Sequence, residues 1–288
     1  MCAIKLLKFG QWFFMRIGIV GNGTVGKAVS YGFRYRGHEV YVNDLKRFKD
    51  EKMYSKSYLM QTCDFIFICV QTNSCPDESL NTSNIEQAVK QLHDSGQYLD
   101  QHEKKNPIIV IKSTVVPGTT RKLALRFPDL KFAVNPEFLR ADHAQKDFLN
   151  QERIVIGVSD AGIAEDVVKV YEGWKCPIKI TDFDTAETIK LVANCFLTLK
   201  VAYACEIANI CRILGVTANR VMDAVTLDSR IHPSHLDPSK GPVPRDNHCL
   251  PKDLLGLIRY LETLGYDCKL LKSASDLGIE KEYIGYPT

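Results

Sequence analysis

Cys249 is the residue whose neighbours in the sequence most strongly indicate chemistry. A proline two positions later suits the first turn of a helix, which we predict over Pro251–Leu264. A thiol at a helix N-terminus, with Lys252 and His248 beside it and Arg245 nearby, should be acidic and nucleophilic. The alternative is one more small buried residue, although the polar and charged stretch around this cysteine favours the nucleophile.

A glycine-rich turn at residues 21–26 gives the second indication of chemistry. It follows a predicted strand and opens a helix predicted over Lys27–Arg34. Gly21 permits a tight turn, Gly23 lets a pyrophosphate approach the backbone, and Gly26 lets the helix pack against the strand. The N–H groups of the helix N-terminus suit phosphate oxygens. The candidate cofactor ligands in this turn are Gly21, Asn22, Gly23, Thr24, Val25 and Gly26.

Asp44 completes a dinucleotide-binding pattern, because it follows the second predicted strand. Its carboxylate can accept hydrogen bonds from the adenine-ribose hydroxyls and would repel a 2′-phosphate, which favours NAD over NADP. A purely structural glycine turn is the alternative. The strand, the helix and the distal acid together favour an NAD site.

Two further groups of polar residues lie at positions where ligands gather. Lys190 and Asn194 are four residues apart on a predicted long helix and therefore share one face of it. A surface lysine is the simpler interpretation of Lys190, whereas asparagine is unusual in mid-helix. Thr114 and Glu137 follow predicted strands, and ligands of open α/β sheets gather at the carboxyl ends of strands.

The elements that must position these residues alternate between strand and helix through residue 183. Short runs rich in Ile and Val, separated by helix-length segments, are typical of a parallel sheet covered on both faces. The predicted strands are Arg16–Val20, Glu39–Asn43, Asp64–Val70, Pro107–Lys112, Lys131–Val134, Arg153–Val158 and Pro177–Ile180. We therefore predict an α/β fold with a Rossmann-like, doubly wound, mostly parallel sheet.

A smaller, all-helical domain is predicted after the last strand. Helical spacing of apolar residues runs from Thr185 to Leu214, with Asp184 or Thr185 as N-cap and Gly215 just past the end. The later predicted helices are Ala218–Thr226, Pro251–Leu264 and Leu270–Leu277. The predicted domains are an N-terminal extension (1–14), an NAD-binding domain (15–183) and a helical domain (184–288) that the long helix links to the first.

Composition limits the classes of partner and compartment. The chain has 288 residues, 45% hydrophobic and 25% charged, with a net charge of +3, which argues against a dedicated nucleic-acid or membrane-surface binder. No run reaches the roughly 18 apolar residues of a membrane helix. The ten cysteines contain no Cys-x-x-Cys pair. We expect a cytoplasmic protein, because the cysteine pattern indicates a reducing compartment.

The ordered set of motifs resembles the UDP-glucose/GDP-mannose 6-dehydrogenase family, the nucleotide-sugar dehydrogenases. The shared pieces are Gly21–Gly26, Gln71–Thr72, Lys112–Thr114, Pro136–Arg140, Arg153–Gly157, Ala186–Glu187 with Lys190, Asn194 and Glu206, and Cys249–Asp253. The resemblance implies an enzyme that uses NAD to oxidise a sugar C6 alcohol to a carboxylate in two steps. It also implies a nucleotide-sugar substrate and a homodimer.

The resemblance implies roles for five residues in catalysis. Cys249 corresponds to the thiol that captures the aldehyde as a thiohemiacetal, which is then oxidised to a thioester. Lys190 and Asn194 correspond to the donors that stabilise the developing oxyanion. Asp253 corresponds to a residue that helps to activate water, and Glu137 to the glutamate of hydrolysis and general-base work.

The resemblance also implies contacts to the two small molecules. Thr114 corresponds to a position near both substrate and nicotinamide, and Thr72 and Lys252 correspond to cofactor contacts. The implied substrate contacts are Phe138, Leu139, Arg140, Lys190, Asn194 and Gly241. No metal is implied.

Three departures from the family pattern bear on specificity. Ala141 stands where the family has a glutamate, and we expect the neighbouring Asp142 to point elsewhere. The glycine-rich stretch before the cysteine, which folds over the sugar nucleotide in the family, is here Gly241–His248, and its prolines cannot copy glycine conformations. The chain ends at Thr288, so we expect the family's third domain, which binds the substrate nucleotide, to be absent.

Three alternatives stay open on the sequence. A two-electron dehydrogenase of the 6-phosphogluconate or 3-hydroxyacid kind would share the fold and the lysine–asparagine pair, but it would need no cysteine. A zinc site would use His232, His235, His248 and Cys249, whose spacing fits no familiar pattern. A truncated paralogue would bind NAD as a non-catalytic subunit.

Overall fold

The computed structural model describes residues 14–46, 49–99, 105–245 and 249–280, which divide between two units. The first unit takes the chain up to residue 70 together with 86–113 and 120–183. The second takes 71–85, 114–119 and the chain from 184 onward. Residues 1–13 of the predicted extension lie outside the described residues, and Phe14 is exposed.

A seven-stranded sheet forms the centre of the first unit. Its strands are β1 (Arg16–Val20), β2 (Glu39–Asn43), β3 (Phe65–Ile68), β4 (Ile108–Ile111), β5 (Lys131–Val134), β6 (Ile154–Gly157) and β7 (Ile178–Thr181). Their order is β2-β1-β3-β4-β5-β6-β7, and neighbours run parallel except β5 and β6, which pair antiparallel at Val134 and Gly157. The predicted mostly parallel α/β fold is confirmed.

The interior of the first unit is apolar on both faces of the sheet. Every residue of β3, β4 and β6 is buried, as strands covered on both sides require. The ring centroid of Phe33 lies 5.1–6.1 Å from the ring centroids of Phe67, Phe148, Tyr171 and Trp174.

Six α-helices precede β7 in the described chain. They are α1 (Thr24–Tyr35), α2 (Lys56–Thr62), α3 (Ser83–Gln97), α4 (Thr119–Arg126), α5 (Ala144–Leu149) and α6 (Ala161–Val170).

The strand register brings the predicted ligand positions to one edge of the sheet. Val20 pairs with Asn43 of β2 and with Ile68 of β3. Ile68 pairs with Ile111, and Ile111 pairs with Val134. The residues that follow these strand ends therefore share the carboxyl edge, where ligands of α/β sheets bind.

Four helices form most of the described second unit: α7 (Phe183–Leu214), α8 (Ala218–Val225), α9 (Leu250–Thr263) and α10 (Lys269–Gly278). The prediction of Asp184 or Thr185 as N-cap is wrong, because α7 begins at Phe183 and both residues lie inside the helix. Gly215 follows the helix with φ 70°, as predicted for a C-terminal glycine. The unit's apolar core is built from Leu80, Leu191, Cys195, Leu254, Leu257, Ile258, Cys268 and Ile279.

Helix α7 carries an exposed apolar face. Val192, Phe196 and Tyr203 are 51%, 60% and 51% exposed. Within the described residues, α7 is the one helix that is long and apolar enough, by length and mean hydropathy, to cross a membrane. Polar residues such as Asp184, Lys190 and Asn194 interrupt the helix, so no uninterrupted apolar run in it reaches 18 residues. The core helix of a soluble protein meets the same criterion.

Candidate functional site

The glycine turn after β1 has room beside the backbone at its central glycine, Gly23, and none for a side chain at Gly21 or Gly26. Gly21 has φ 97°, and a Cβ built on it would lie 2.6 Å from the carbonyl oxygen of Cys69. A Cβ on Gly26 would lie 1.9 Å from the carbonyl oxygen of Gly21. A Cβ on Gly23 meets nothing within 4 Å. Gly23 is also the N-cap of α1, so this opening lies at a helix N-terminus that suits a phosphate group.

Asp44 immediately follows β2 and is hydrogen-bonded to this turn. Its Oδ2 accepts a hydrogen bond of 2.5 Å from the backbone N–H of Asn22, and its Oδ1 accepts one of 2.8 Å from Lys46. Asn22 is buried, while Thr24 is exposed and Val25 is half-buried at the start of α1. The hexapeptide and the distal acid therefore come together in the first unit.

Glu137 lies just past β5 and is buried. Its Oε2 accepts a hydrogen bond of 2.6 Å from the backbone N–H of Leu139. Two residues earlier, Asn135 accepts a bond of 2.7 Å from the buried Nζ of Lys112 and donates one of 2.8 Å to the carbonyl of Val155. These bonds fix the segment that carries Glu137.

Phe138 and Arg140 are each engaged with a neighbour in the first unit. The guanidinium of Arg153 lies 3.9 Å from the ring centroid of Phe138. Arg140 binds Asp147 through Nε at 2.9 Å and Nη2 at 2.6 Å, and this bond lowers the pKa of Asp147 below its ordinary value. Asp142 is exposed in a short 3₁₀ turn after Arg140.

In the second unit, α7 and α9 meet through a buried polar group. Nδ2 of Asn194 donates a hydrogen bond of 2.6 Å to Oδ2 of Asp253. Nζ of Lys252 lies 2.5 Å from the other carboxylate oxygen. Lys190, Asn194 and Asp253 are each buried, with 4%, 7% and 1% exposure.

Cys249 immediately precedes α9, and its carbonyl accepts a 3.0 Å bond from the N–H of Asp253. It is exposed, whereas the other cysteines that the structure describes are buried or half-buried. Burial raises the pKa of Cys63, Cys69 and Cys195 to about 12. Those three thiols are therefore protonated near neutral pH, and Cys249 is the one exposed cysteine of the described set.

The segment with Thr114 is attached to α7 by a carboxylate. Oε2 of Glu187, which is 1% exposed, accepts a hydrogen bond of 2.7 Å from the N–H of Gly118. Gly118 has φ 89°, which a glycine adopts readily. Thr114 is half-buried, and Thr72 in the other inserted segment is buried.

The loop before Cys249 is attached to two other parts of the second unit. Val243 pairs in parallel with Ile279 through backbone bonds of 2.8 and 2.9 Å. The guanidinium of Arg245 binds the carboxylate of Glu78. Gly241 at the start of this loop has φ 67°. His248, one proposed zinc ligand, lies outside the described residues, and the described residues contain no cluster of three metal-ligating side chains.

The predicted site residues form two groups. The first unit holds the glycine turn, Asp44, Glu137 and the Phe138–Arg140 segment, and the second holds the others: Thr72, Thr114, Lys190, Asn194, Gly241, Cys249, Lys252 and Asp253. The sequence pattern assigned no contact to Glu187, although its spacing to Lys190 and Asn194 places all three on one helix face. It gave no signal for Glu78, which lies in a polar loop.

Comparison with known proteins identifies relatives of both units. The NAD-binding domain model of the UDP-glucose/GDP-mannose dehydrogenase family matches residues 46–175, and the central-domain model of that family matches residues 184–278. A UDP-glucose 6-dehydrogenase of Rickettsia conorii is 32% identical over 294 residues, covering 90% of this chain and 65% of the relative. The chain thus spans just under two-thirds of the length of that relative.

Solved structures show the same likeness. A UDP-glucose dehydrogenase from the archaeon Pyrobaculum islandicum superposes with a TM-score of 0.83 at 29% identity, covering 95% of this chain and 69% of that one. A GDP-mannose dehydrogenase from Pseudomonas aeruginosa superposes with a TM-score of 0.70 at 26% identity, covering 92% and 68%.

Proposed function

Because the chain belongs to the UDP-glucose/GDP-mannose dehydrogenase family, we propose that it oxidises the C6 alcohol of a nucleotide sugar to a carboxylate with NAD. One observation carries the proposal. An exposed thiol, Cys249, stands at the start of α9, whose first turn holds Asp253 in a buried bond to Asn194. A two-electron dehydrogenase has no use for such a thiol, so that alternative is not favoured.

The first unit fits NAD. The open space at Gly23 and the N-terminus of α1 suit the pyrophosphate, and the carboxylate of Asp44 suits the adenine-ribose hydroxyls. When bound, NAD supplies the hydride acceptor for each oxidation. We assign Thr72, Thr114 and Lys252 as further cofactor contacts on the family resemblance.

The proposed role of Cys249 is covalent. The C6 alcohol first loses a hydride and a proton to become an aldehyde. The thiolate of Cys249 adds to that aldehyde, and the resulting thiohemiacetal loses a second hydride and its hydroxyl proton to become a thioester. Water then attacks the thioester carbonyl, the carbon–sulfur bond breaks, and the carboxylate leaves as the thiol is restored. Asp253 and Glu137 are the proposed residues that accept the proton of that water.

Lys190 and Asn194 are the proposed oxyanion donors in these steps. An amide nitrogen carries two hydrogens, and the bond to Asp253 uses one of those on Asn194. Donors that are buried and fixed before the reaction stabilise developing charge most strongly. Both side chains are buried.

UDP-glucose is the first substrate to test, since the relative from Rickettsia conorii carries that name. The proposed contacts to the substrate are Phe138, Leu139, Arg140 and Gly241, with Lys190 and Asn194. We also propose that the protein is cytoplasmic, and that a second copy of the chain covers the exposed apolar face of α7 to give a homodimer.

The deciding experiment counts NADH for each molecule of sugar acid. The purified chain is incubated with NAD and a panel of UDP- and GDP-sugars, while absorbance and product mass are followed. Two NADH for each acid is the expected result. One NADH for each molecule of substrate consumed, with a carbonyl product and no acid, would favour the two-electron alternative. NAD binding without turnover on any sugar would favour a non-catalytic NAD-binding subunit.

A further inference from the structure

The segment that leads to Cys249 carries an ion pair where the family resemblance has a glycine-rich stretch. Arg245 lies four residues before the thiol, and its Nη2 binds Oε1 of Glu78. The two residues are 167 positions apart in the sequence and both belong to the second unit. A glycine in place of Arg245 could not make this bond.

Glu78 is held in a conformation that its residue type disfavours. Its φ is 68°, in the left-handed region that costs energy for a residue with a Cβ atom. Such conformations persist where surrounding contacts over-determine them, and they concentrate at functional sites. Backbone bonds of the turn hold this conformation: the N–H of Glu78 donates to the carbonyl of Cys75 at 2.9 Å, and the N–H of Cys75 donates to the carbonyl of Ser79 at 2.8 Å. The carboxylate of Glu78 projects from this fixed turn to the two arginines.

Helix α9 provides the second contact of Glu78. Nη2 of Arg259 lies 2.7 Å from Oε2 of Glu78, and Nε of the same arginine donates to the carbonyl of Asp77 at 3.0 Å. Arg259 also binds Glu262 on its own helix at 3.0 Å. Glu78 therefore connects the loop before Cys249 to the helix that begins just after it.

We propose that Glu78 is a positioning residue, which clasps Arg245 and Arg259 and so fixes the Cys249 thiol at the N-terminus of α9. This inference rests on the function proposed above, in which Cys249 is the nucleophile. A thiol held at a helix N-terminus ionises more readily, because the N–H groups and the helix dipole stabilise the thiolate. When the clasp is broken, Arg245 and Arg259 lose the carboxylate that joins them, and the thiol spends less time in that field.

The first test measures thiol reactivity without substrate. Wild type, Glu78→Gln and Arg245→Met react with iodoacetamide between pH 6 and 10, and mass spectrometry follows the Cys249 peptide. We expect the pH midpoint of alkylation to rise by about half a unit in each variant, with about threefold slower reaction near neutral pH. Above both midpoints the rates should converge.

The second test asks whether Glu78 and Arg245 affect the thiol through the bond between them. The double variant Glu78→Gln/Arg245→Met should shift the midpoint no further than Glu78→Gln alone, because the ion pair that Arg245→Met removes is already lost when Glu78 is changed. With UDP-glucose, each variant should lose about tenfold in kcat with an unchanged KM for NAD. The conservative variant Arg245→Lys should recover part of the loss.

Matched controls come from the Asp228–Arg230 ion pair, which is also in the second unit and has a 2.6 Å contact. Asp228→Asn and Arg230→Met should leave the alkylation midpoint unchanged. Circular dichroism checks that every variant is folded. Unchanged midpoints in the Glu78 and Arg245 variants, or effects that add in the double variant, would overturn the clasp. Lack of turnover by the wild type would refute the proposed function, while the alkylation data would still decide the clasp.

Discussion

Asn194 donates a 2.6 Å hydrogen bond to Asp253, and this bond joins helix α7 to the first turn of α9. Asp253 is 1% exposed, and its other oxygen lies 2.5 Å from Nζ of Lys252. Burial of a carboxylate is costly unless its oxygens are bonded. The stability of the second unit and the placement of two residues of the proposed chemistry therefore depend on the same contact.

Asn194→Ala should therefore lower both stability and turnover. The free energy of unfolding should fall by about 1–3 kcal/mol, because a buried carboxylate oxygen loses its partner. The kcat for NADH formation should fall about 100-fold through loss of an oxyanion donor. Urea unfolding and initial rates measure the two effects. Asn209→Ala, at an exposed position on the same helix, is the control, and equal behaviour of the two variants would refute the assignment.

Cys249→Ser should keep the fold and NAD binding but stop the reaction before the acid. A serine hydroxyl has a far higher pKa than a thiol and needs a dedicated base to act as a nucleophile. The expected result is loss of the second NADH or slow release of an ester, seen by stopped-flow absorbance and mass spectrometry. Cys195→Ser and Cys205→Ser on α7 should change stability modestly and turnover little. Full conversion to the acid by Cys249→Ser would refute the covalent mechanism.

Asp44→Ala should weaken NAD binding and relax discrimination against NADP. The carboxylate would otherwise bind the ribose hydroxyls and repel a 2′-phosphate, and charge-assisted bonds of this kind account for about tenfold or more in affinity. Fluorescence titration with both dinucleotides measures the change. Asp50→Ala, an exposed carboxylate in the same unit, should leave both affinities unchanged. If Asp44→Ala behaves in the same way, the acid is misassigned.

Phe196→Glu should convert the proposed dimer to a monomer. Phe196 is 60% exposed between Val192 and Tyr203 on α7, and a buried unpaired carboxylate at an interface costs several kcal/mol, about 3–5. Light scattering of wild type and variant gives the two masses. Leu125→Glu, at another apolar residue that is 76% exposed, controls for surface charge. A monomeric wild type would refute the dimer directly.

Much of the fold could be predicted because the strands and helices have strong local signals. The bounds of β1, β2 and β5 match the structure to the residue, since apolar runs and turn residues define them. The antiparallel contact of Val134 with Gly157 could not be predicted, because side-chain periodicity does not encode strand direction. The predicted start of α7 was wrong, because an aspartate such as Asp184 is equally favourable as an N-cap and in the first turn, where the structure places it.

The site could be predicted only as far as motifs reach. The glycine turn and Asp44 were found by spacing, and the structure brings them together through the Asn22 N–H. The pairing of Glu78 with Arg245 depends on tertiary structure across 167 positions, so no local pattern carries it. The same holds for the bond between Glu187 and Gly118.

The division of the chain has a consequence for how it can fold. The chain passes between the two units five times, at residues 70/71, 85/86, 113/114, 119/120 and 183/184. A fragment that starts at Asp184 would lack Leu80, which lies in the core of the second unit, and Gly118, which bonds to Glu187. During synthesis, the earlier segments must therefore wait for the C-terminal helices before their contacts can form. Every segment of the first unit precedes residue 184, so the second unit is the later of the two to have all its described segments synthesised.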